Sequence, residues 1–308
     1  MSKIAFIFPG QGAQICGMGQ DFYEQAETAK EIFDKASEIL GFSMPELCFE
    51  KNDRLDITEY TQPAMVTASI AMMKVFMERT GITPSVAAGL SLGEYPAMAA
   101  AGVMSAEDAI RTVRQRGILM QEAVPVGEGA MAAILALDAS AIEEVTGAME
   151  GVWIANYNCP GQIVISGEKA AVEDACEKLK AAGAKRAVML NVSGPFHSGM
   201  LADAGERLGE VLSQVELHEP QIPYVANVTA QYVKSAAEVK ELLTRQVSSS
   251  VRWQQSVEAM IADGVDTFIE IGPGKTLAGF MRKISRDVKT LNVEKLEDIS
   301  KVAEALKS

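Results

Sequence analysis

The chain has 308 residues, 48% of them hydrophobic, with 28 Lys and Arg against 41 Asp and Glu for a net charge of -13. This supplies a core for one large domain or one domain carrying an insert, and the acidic balance argues against nucleic acid or an anionic membrane as main partner. No apolar run reaches the length of a membrane span, and Cys16, Cys48, Cys159 and Cys176 form no CxxC pair, so a reduced cytoplasmic protein without a structural metal is expected.

The first apolar run, Ile4–Phe8, is too short for a signal-peptide core and reads as a buried strand ended by Pro9-Gly10. Phe8-Pro9-Gly10-Gln11-Gly12 follows, with glycines that let the backbone approach a ligand and a glutamine that adds amide donors. The stretch nearly matches G-x-G-x-x-G, but Ile15 replaces the third glycine and no acid is placed for a ribose, so a dinucleotide site is rejected. Helical patterns cover 26–40 and 63–80, the second beginning at Pro63. A short strand at Val86–Gly89 leads into Gly89-Leu90-Ser91-Leu92-Gly93, and Glu94 onward reads as a helix with Pro96 in its first turn. Ser105 and Asp108 resemble a capping box at the head of a helix over 106–124.

The middle alternates differently. It reads as strand 130–137, helix 140–149, strands 152–155 and 162–166, helix 170–182 and strand 185–190. That is the β-α-β-β-α-β order of ferredoxin-like folds. Gly127-Glu128-Gly129 opens it and Ser193-Gly194-Pro195 closes it, so residues 127–193 read as an inserted subdomain and residues 1–126 with 194–308 as the large domain. Beyond it come helices over 201–214, 236–246 and 253–263, and strands at 224–226 and 267–271. Strands alternating with longer helices predict an α/β fold with a mostly parallel sheet. Gly272-Pro273-Gly274-Lys275-Thr276 imitates a phosphate loop, but Ile269 stands where Walker A needs glycine, so a tight turn is expected.

Strand, glycine turn and helix around Ser91 form a nucleophile elbow, which presents the hydroxyl at a helix N-terminus. A serine nucleophile needs a base, and the chain has two histidines. His218, in Leu217-His218-Glu219-Pro220, reads as a solvated loop residue. His197 lies in Gly194-Pro195-Phe196-His197-Ser198-Gly199 at the seam of the insert, where loops line clefts, and is favoured as base over a simple helix cap. Hydrolases on this elbow usually run serine, acid, histidine. No acid in a recognisable motif is available, so a carbonyl or neutral side chain is expected to orient the imidazole. The turn at Gln11 and the N–H of Leu92 suit an oxyanion hole. Arg116 shares a helix row with Ala109, Val113 and Met120. A guanidinium on an apolar stripe needs an anion, either an internal acid or a substrate carboxylate. Arg111 and Arg114 read as surface groups.

Phe8-Pro9-Gly10-Gln11-Gly12, Gly89-Leu90-Ser91-Leu92-Gly93-Glu94-Tyr95, Gln115-Arg116-Gly117, Asn156 with Asn158-Cys159-Pro160-Gly161-Gln162, Phe196-His197-Ser198 and Glu270-Ile271-Gly272-Pro273-Gly274 together resemble the malonyl-CoA:acyl carrier protein transacylase family, in that family's order and over almost the whole chain. The resemblance implies an α/β-hydrolase-like large domain with a ferredoxin-like insert. It implies Ser91 as the acylated nucleophile, His197 as base, and Gln246 as the residue whose backbone carbonyl orients that base. It implies backbone amides of Gln11 and Leu92 as the oxyanion hole, Arg116 as the clamp on a malonyl carboxylate, and Gln11, Phe196, Asn156 and Gln162 as substrate-binding residues. One departure is Leu90, where the family's elbow usually has histidine. Malonyl-CoA and acyl carrier protein are the implied substrate and partner. No cofactor is implied, because the CoA thioester is a substrate, and no metal. A cytoplasmic monomer serving fatty acid biosynthesis is expected. A polyketide acyltransferase, a serine thioesterase and an idle carrier-binding module are the alternatives. Lys185 with Arg186, expected at the seam end of the insert, and Lys275 with Arg282 and Lys283 on the large domain are candidate docking cations.

Overall fold

The computed structural model describes residues 2–192 and 194–307, so Ser193, expected at the closing seam, lies outside the described residues. Ile4–Phe8 (β1) pairs in parallel with Val86–Gly89 (β2) on one side and Thr267–Ile271 (β7) on the other, and β7 pairs in parallel with Lys289–Val293 (β8). The sheet order is β2-β1-β7-β8. Every residue of β2 and β7 is buried, which explains their short, nearly unbroken apolar runs. The segment expected as a strand at 224–226 makes only isolated bridges, from Tyr224 to Ala87 and from Val225 to Tyr232. β8 escaped the sequence reading because only one of its residues is fully buried.

In chain order the helices are α1 (Gln20–Gln25), α2 (Glu27–Leu40), α3 (Met44–Phe49), α4 (Thr58–Thr80), α5 (Glu94–Ala100), α6 (Ala106–Glu122), α7 (Ala139–Gly147), α8 (Lys169–Ala181), α9 (Ala202–Leu212), α10 (Ala236–Gln246), α11 (Trp253–Ala262), α12 (Thr276–Ile284) and α13 (Asp298–Ala305). Helix α4 starts five residues before the expected Pro63, which lies inside it. Proline removes the donor that would meet the Glu59 carbonyl. Arg114 Nη1 meets that carbonyl instead at 2.6 Å, its Nη2 pairs with the Glu59 carboxylate at 2.8 Å, and its guanidinium lies 4.4 Å from the Tyr60 ring centroid. Arg114 is therefore a half-buried staple between α6 and α4, and the surface reading is corrected. Ser105 does cap α6, accepting from the Asp108 N–H at 3.0 Å.

Glu270, the penultimate residue of β7, is fully buried. Its two oxygens accept the N–H groups of Leu277 at 2.9 Å and Ala278 at 2.8 Å, at the N-terminus of α12. A carboxylate there satisfies orphan donors and complements the helix dipole. The stretch from Gly272 to Lys275 is thus a structural turn between β7 and α12, as expected.

The inserted strands are Gly129–Leu135 (β3), Val152–Cys159 (β4), Gln162–Glu168 (β5) and Arg186–Met189 (β6). They form an antiparallel sheet of order β4-β5-β3-β6, the ferredoxin-like arrangement, and with the parallel sheet this gives the expected α/β architecture. Ala132, Ile134, Ile163 and Ile165 pack with Ile142 of α7 and Val172, Ala175 and Leu179 of α8 in one cluster. The two-residue period puts Met131, Ala133, Leu135, Gln162, Val164 and Ser166 on the opposite face. Val251 joins β4 to the large layer: its N–H donates to the Ala155 carbonyl at 2.8 Å, and its carbonyl accepts the Tyr157 N–H at 2.9 Å. β6 is the far edge. Arg186 pairs with Leu135, at the end of β3 remote from Gly129, which abuts Pro195. Lys185 and Arg186 therefore sit away from the seam, contrary to expectation.

Candidate active site

Ser91 follows β2 with φ 52°, a left-handed conformation uncommon for a residue with a side chain. The surrounding glycines make that turn possible. A Cβ on Gly93 would strike the Phe8 carbonyl, and one on Gly10 would lie 2.6 Å from the Leu90 carbonyl. The elbow thus packs directly on the end of β1. Leu90, in place of the family histidine, donates its N–H to the Phe8 carbonyl at 3.0 Å. Asn227 fixes Ser91 from the other side: its Oδ1 accepts the Ser91 N–H at 2.6 Å, and its Nδ2 donates to the Gly89 carbonyl at 2.7 Å.

His197 also has a left-handed φ, 58°, and is 3% exposed. Its Nε2 lies 2.6 Å from Ser91 Oγ, and its Nδ1 lies 2.8 Å from the Gln246 carbonyl. A carbonyl only accepts, so Nδ1 carries the proton and Nε2 presents its lone pair to the serine. Burial, and then the Arg116 charge, depress the His197 pKa to about 4. The imidazole is therefore a neutral acceptor at physiological pH. His218 is exposed, as expected.

Arg116 is 1% exposed. Its Nη2 donates to Gln246 Oε1 at 3.1 Å and lies 3.4 Å from Ser91 Oγ; its Nη1 donates to Gln62 Oε1 at 2.9 Å; its Nε has no partner. Among the described residues it forms no salt bridge. Of the two readings open from sequence, the internal acid contact is absent. Gln11 joins the same chain of contacts, with its Nε2 donating to Thr58 Oγ1 at 3.1 Å and its Oε1 3.5 Å from Gln62 Nε2. Leu92 is the second residue of a 3-10 turn, where N–H groups lack intrahelical acceptors.

Gln246 contributes more than a carbonyl. Its side-chain Nε2 donates to the Ser91 carbonyl at 3.0 Å and to Glu94 Oε2 at 2.7 Å. Glu94 Oε2 also accepts the Asn227 N–H at 3.1 Å. Sequence reasoning missed Glu94, Asn227 and Gln62. The visible signals were a glutamate directly after the elbow and a glutamine inside the apolar run of α4.

Phe196, 8% exposed, belongs to the apolar cluster containing Met131, Ala133 and Val164. Asn156 and Gln162 pair with Val164 and Cys159 across β4 and β5. Neither makes a hydrogen bond to Ser91, His197 or Arg116. A cavity of about 310 Å³, lined by Trp153, His197, Val228, Arg245, Ser249 and Arg252 among others, opens where β4 meets the loop after α10. No group of three or more histidines, cysteines or acids placed to hold a metal occurs among the described residues. No helix among them is long and apolar enough to cross a membrane.

A serine and histidine in contact, on an elbow at the end of a parallel sheet, place the molecule among acyl-transferring enzymes, and residues 5–301 match the family described as "Acyl transferase domain". The chain is 50% identical to the Bacillus subtilis "Malonyl CoA-acyl carrier protein transacylase", covering 100% of this chain and 98% of the relative. The crystal structure of an acyl carrier protein S-malonyltransferase from Vibrio cholerae superposes with a TM-score of 0.95 at 42% identity, covering 98% of this chain and 100% of that one. A malonyl-transacylase solved in complex with its type II PKS acyl-carrier protein gives a TM-score of 0.95 at 40% identity, over 99% of this chain and 100% of that one. The chain belongs to the malonyl CoA-acyl carrier protein transacylase family.

Proposed function

We propose that this enzyme moves a malonyl group from CoA to the pantetheine thiol of acyl carrier protein through a malonyl ester on Ser91. The observation that carries the reading is Arg116: a buried cation in no direct salt bridge among the described residues, 3.4 Å from the oxygen that would be acylated. Such a group favours an acyl chain that ends in a carboxylate.

His197 Nε2 takes the proton from Ser91 Oγ as that oxygen attacks the thioester carbonyl. The N–H groups of Gln11 and Leu92 stabilise the tetrahedral oxyanion. The carbon–sulfur bond breaks, and CoA leaves as a thiol with the proton from His197. In the second half the pantetheine thiol gives its proton to His197, attacks the ester carbonyl and releases Ser91, which regains the proton. The acid–base, nucleophilic and oxyanion-stabilising groups of this ping-pong cycle are residues of the chain, and the reading includes no metal or cofactor. Phe196 lines the acyl site, and Asn156 and Gln162 on the inserted sheet are further substrate-binding residues.

In this reading residues 127–193 act as a ferredoxin-like subdomain over a large domain of 1–126 and 194–308. The enzyme works as a cytoplasmic monomer in fatty acid biosynthesis, without nucleic acid or membrane. Polyketide synthesis is the second pathway, favoured by the neighbour solved with a type II PKS carrier. Incubation with malonyl-CoA and holo acyl carrier protein, beside a water-only control, tests the proposal. Malonyl-carrier protein should form much faster than free malonate. Free malonate as main product would make the enzyme a thioesterase.

A further inference from the structure

Arg116 and Glu94 carry opposite charges, each is 1% exposed, and no salt bridge holds either among the described residues. Each buried charge is costly alone. Gln246 stands between them: its Oε1 accepts from Arg116 at 3.1 Å, and its Nε2 donates to Glu94 at 2.7 Å. The amide dipole therefore points its negative end at the cation and its positive end at the carboxylate, and each charge polarises the bond to the other.

We propose that Glu94 is the counter-charge of Arg116, relayed through the side-chain amide of Gln246, and that its ionisation moderates how strongly the site holds an acyl group bearing a carboxylate. The inference rests on the malonyl-transfer reading. With Glu94 ionised, the empty site is neutral. A malonyl carboxylate at Arg116 then enters as a second anion and is held less tightly. With Glu94 protonated, Arg116 is uncompensated and the carboxylate is held more tightly. Moderation suits a site that must release the same group in its second half-reaction, since ground-state tightness does not speed chemistry.

The charged and titratable groups around Glu94 are Arg116 on α6, Tyr95 on its own helix, Tyr224 beside β2 and, beyond Gln246, His197. Burial pushes Glu94 up to about 7, against its hydrogen bonds to Gln246 and Asn227 and the Arg116 charge. Burial raises both tyrosines, and His197 is already neutral above about 4. Arginine stays cationic throughout. Near neutrality, Glu94 is the member of this set that changes charge.

The test is kcat/KM for acyl loading onto Ser91, from rapid-quench rates at sub-saturating acyl-CoA read by intact mass, with malonyl-CoA and acetyl-CoA across the neutral range. The malonyl-to-acetyl ratio cancels the nucleophile and base, which both substrates share. In the wild type the ratio should fall about threefold or more as pH rises through neutrality. Glu94→Gln retains an acceptor oxygen and should hold the ratio at its low-pH value throughout, with a lowered KM for malonyl-CoA. Glu94→Ala removes the acceptor and should slow both acyl groups together. A flat wild-type ratio overturns the inference, whether or not the variants fold. So does a Gln variant whose ratio tracks the wild type. A protein that loads neither acyl group overturns the transfer reading and this inference with it.

Discussion

His197 donates its Nδ1–H to the main-chain carbonyl of Gln246 at 2.8 Å, in the place that serine hydrolases commonly give to a carboxylate. A carbonyl fixes the same tautomer but brings no full negative charge to stabilise an imidazolium. The histidine is accordingly a weak base, with burial and the neighbouring Arg116 holding it at about 4. A weak base suits a thiol nucleophile, which is acidic enough to give up its proton readily, better than it suits water.

The folded pKa of His197 lies below the ordinary histidine value, so the neutral base persists as pH falls through 6.5 and is lost only near about 4. Below about pH 6, where Glu94 is already mostly protonated, loading rates should stay level and then fall towards about pH 4. Rapid-quench rates over this range measure it. A fall centred at the ordinary histidine midpoint would contradict it.

Arg116→Ala should damage malonyl loading far more than acetyl loading. A hydrogen bond to a charged group is worth about 1.5–3 kcal/mol, or roughly 10- to 150-fold in kcat/KM. The comparison needs only the two CoA esters and intact-mass detection. Equal losses would make Arg116 a structural element.

Asn227→Ala frees the Ser91 N–H and the Gly89 carbonyl together. The strained elbow loses its support, and loading should slow by a similar factor with both acyl groups, with kcat affected more than KM. Circular dichroism checks that the fold persists. A change confined to malonyl would instead link Asn227 to Arg116.

Glu270→Ala leaves two N–H groups at the start of α12 without their acceptors. Unfolding in urea should show a loss of about 1–3 kcal/mol. The specific activity of the folded variant should be retained, because Glu270 makes no hydrogen bond to the Ser91 network.

Much of this was legible in the sequence where local signals agree. β1, β2 and β7 are buried on both faces and read as short apolar runs, and the glycines around Ser91 mark a turn that only glycine permits. The six inserted elements appear in order because each keeps its own period. Other elements depend on distant partners. Helix α4 runs through Pro63, and Arg114, on another helix, meets the carbonyl that proline leaves free. The segment at Tyr224 looks like a strand locally, yet it makes single bridges. Asn227 is 136 positions from the serine it supports, and nothing in Val225-Ala226-Asn227-Val228 marks it as different from a loop asparagine. The Glu94–Gln246–Arg116 relay likewise joins three helices, so its members are visible one by one but their contact is not.

Between donor and acceptor the acyl group should reside on Ser91, and this can be measured directly. The enzyme is mixed with malonyl-CoA alone, quenched in acid, digested and mapped by mass spectrometry, and a second portion receives holo acyl carrier protein before quenching. One malonyl group should appear on the peptide carrying Ser91, vanish when carrier protein is added, reappear on the carrier, and be absent from Ser91→Ala. An adduct on another residue, or one that persists on Ser91→Ala, would contradict the central claim.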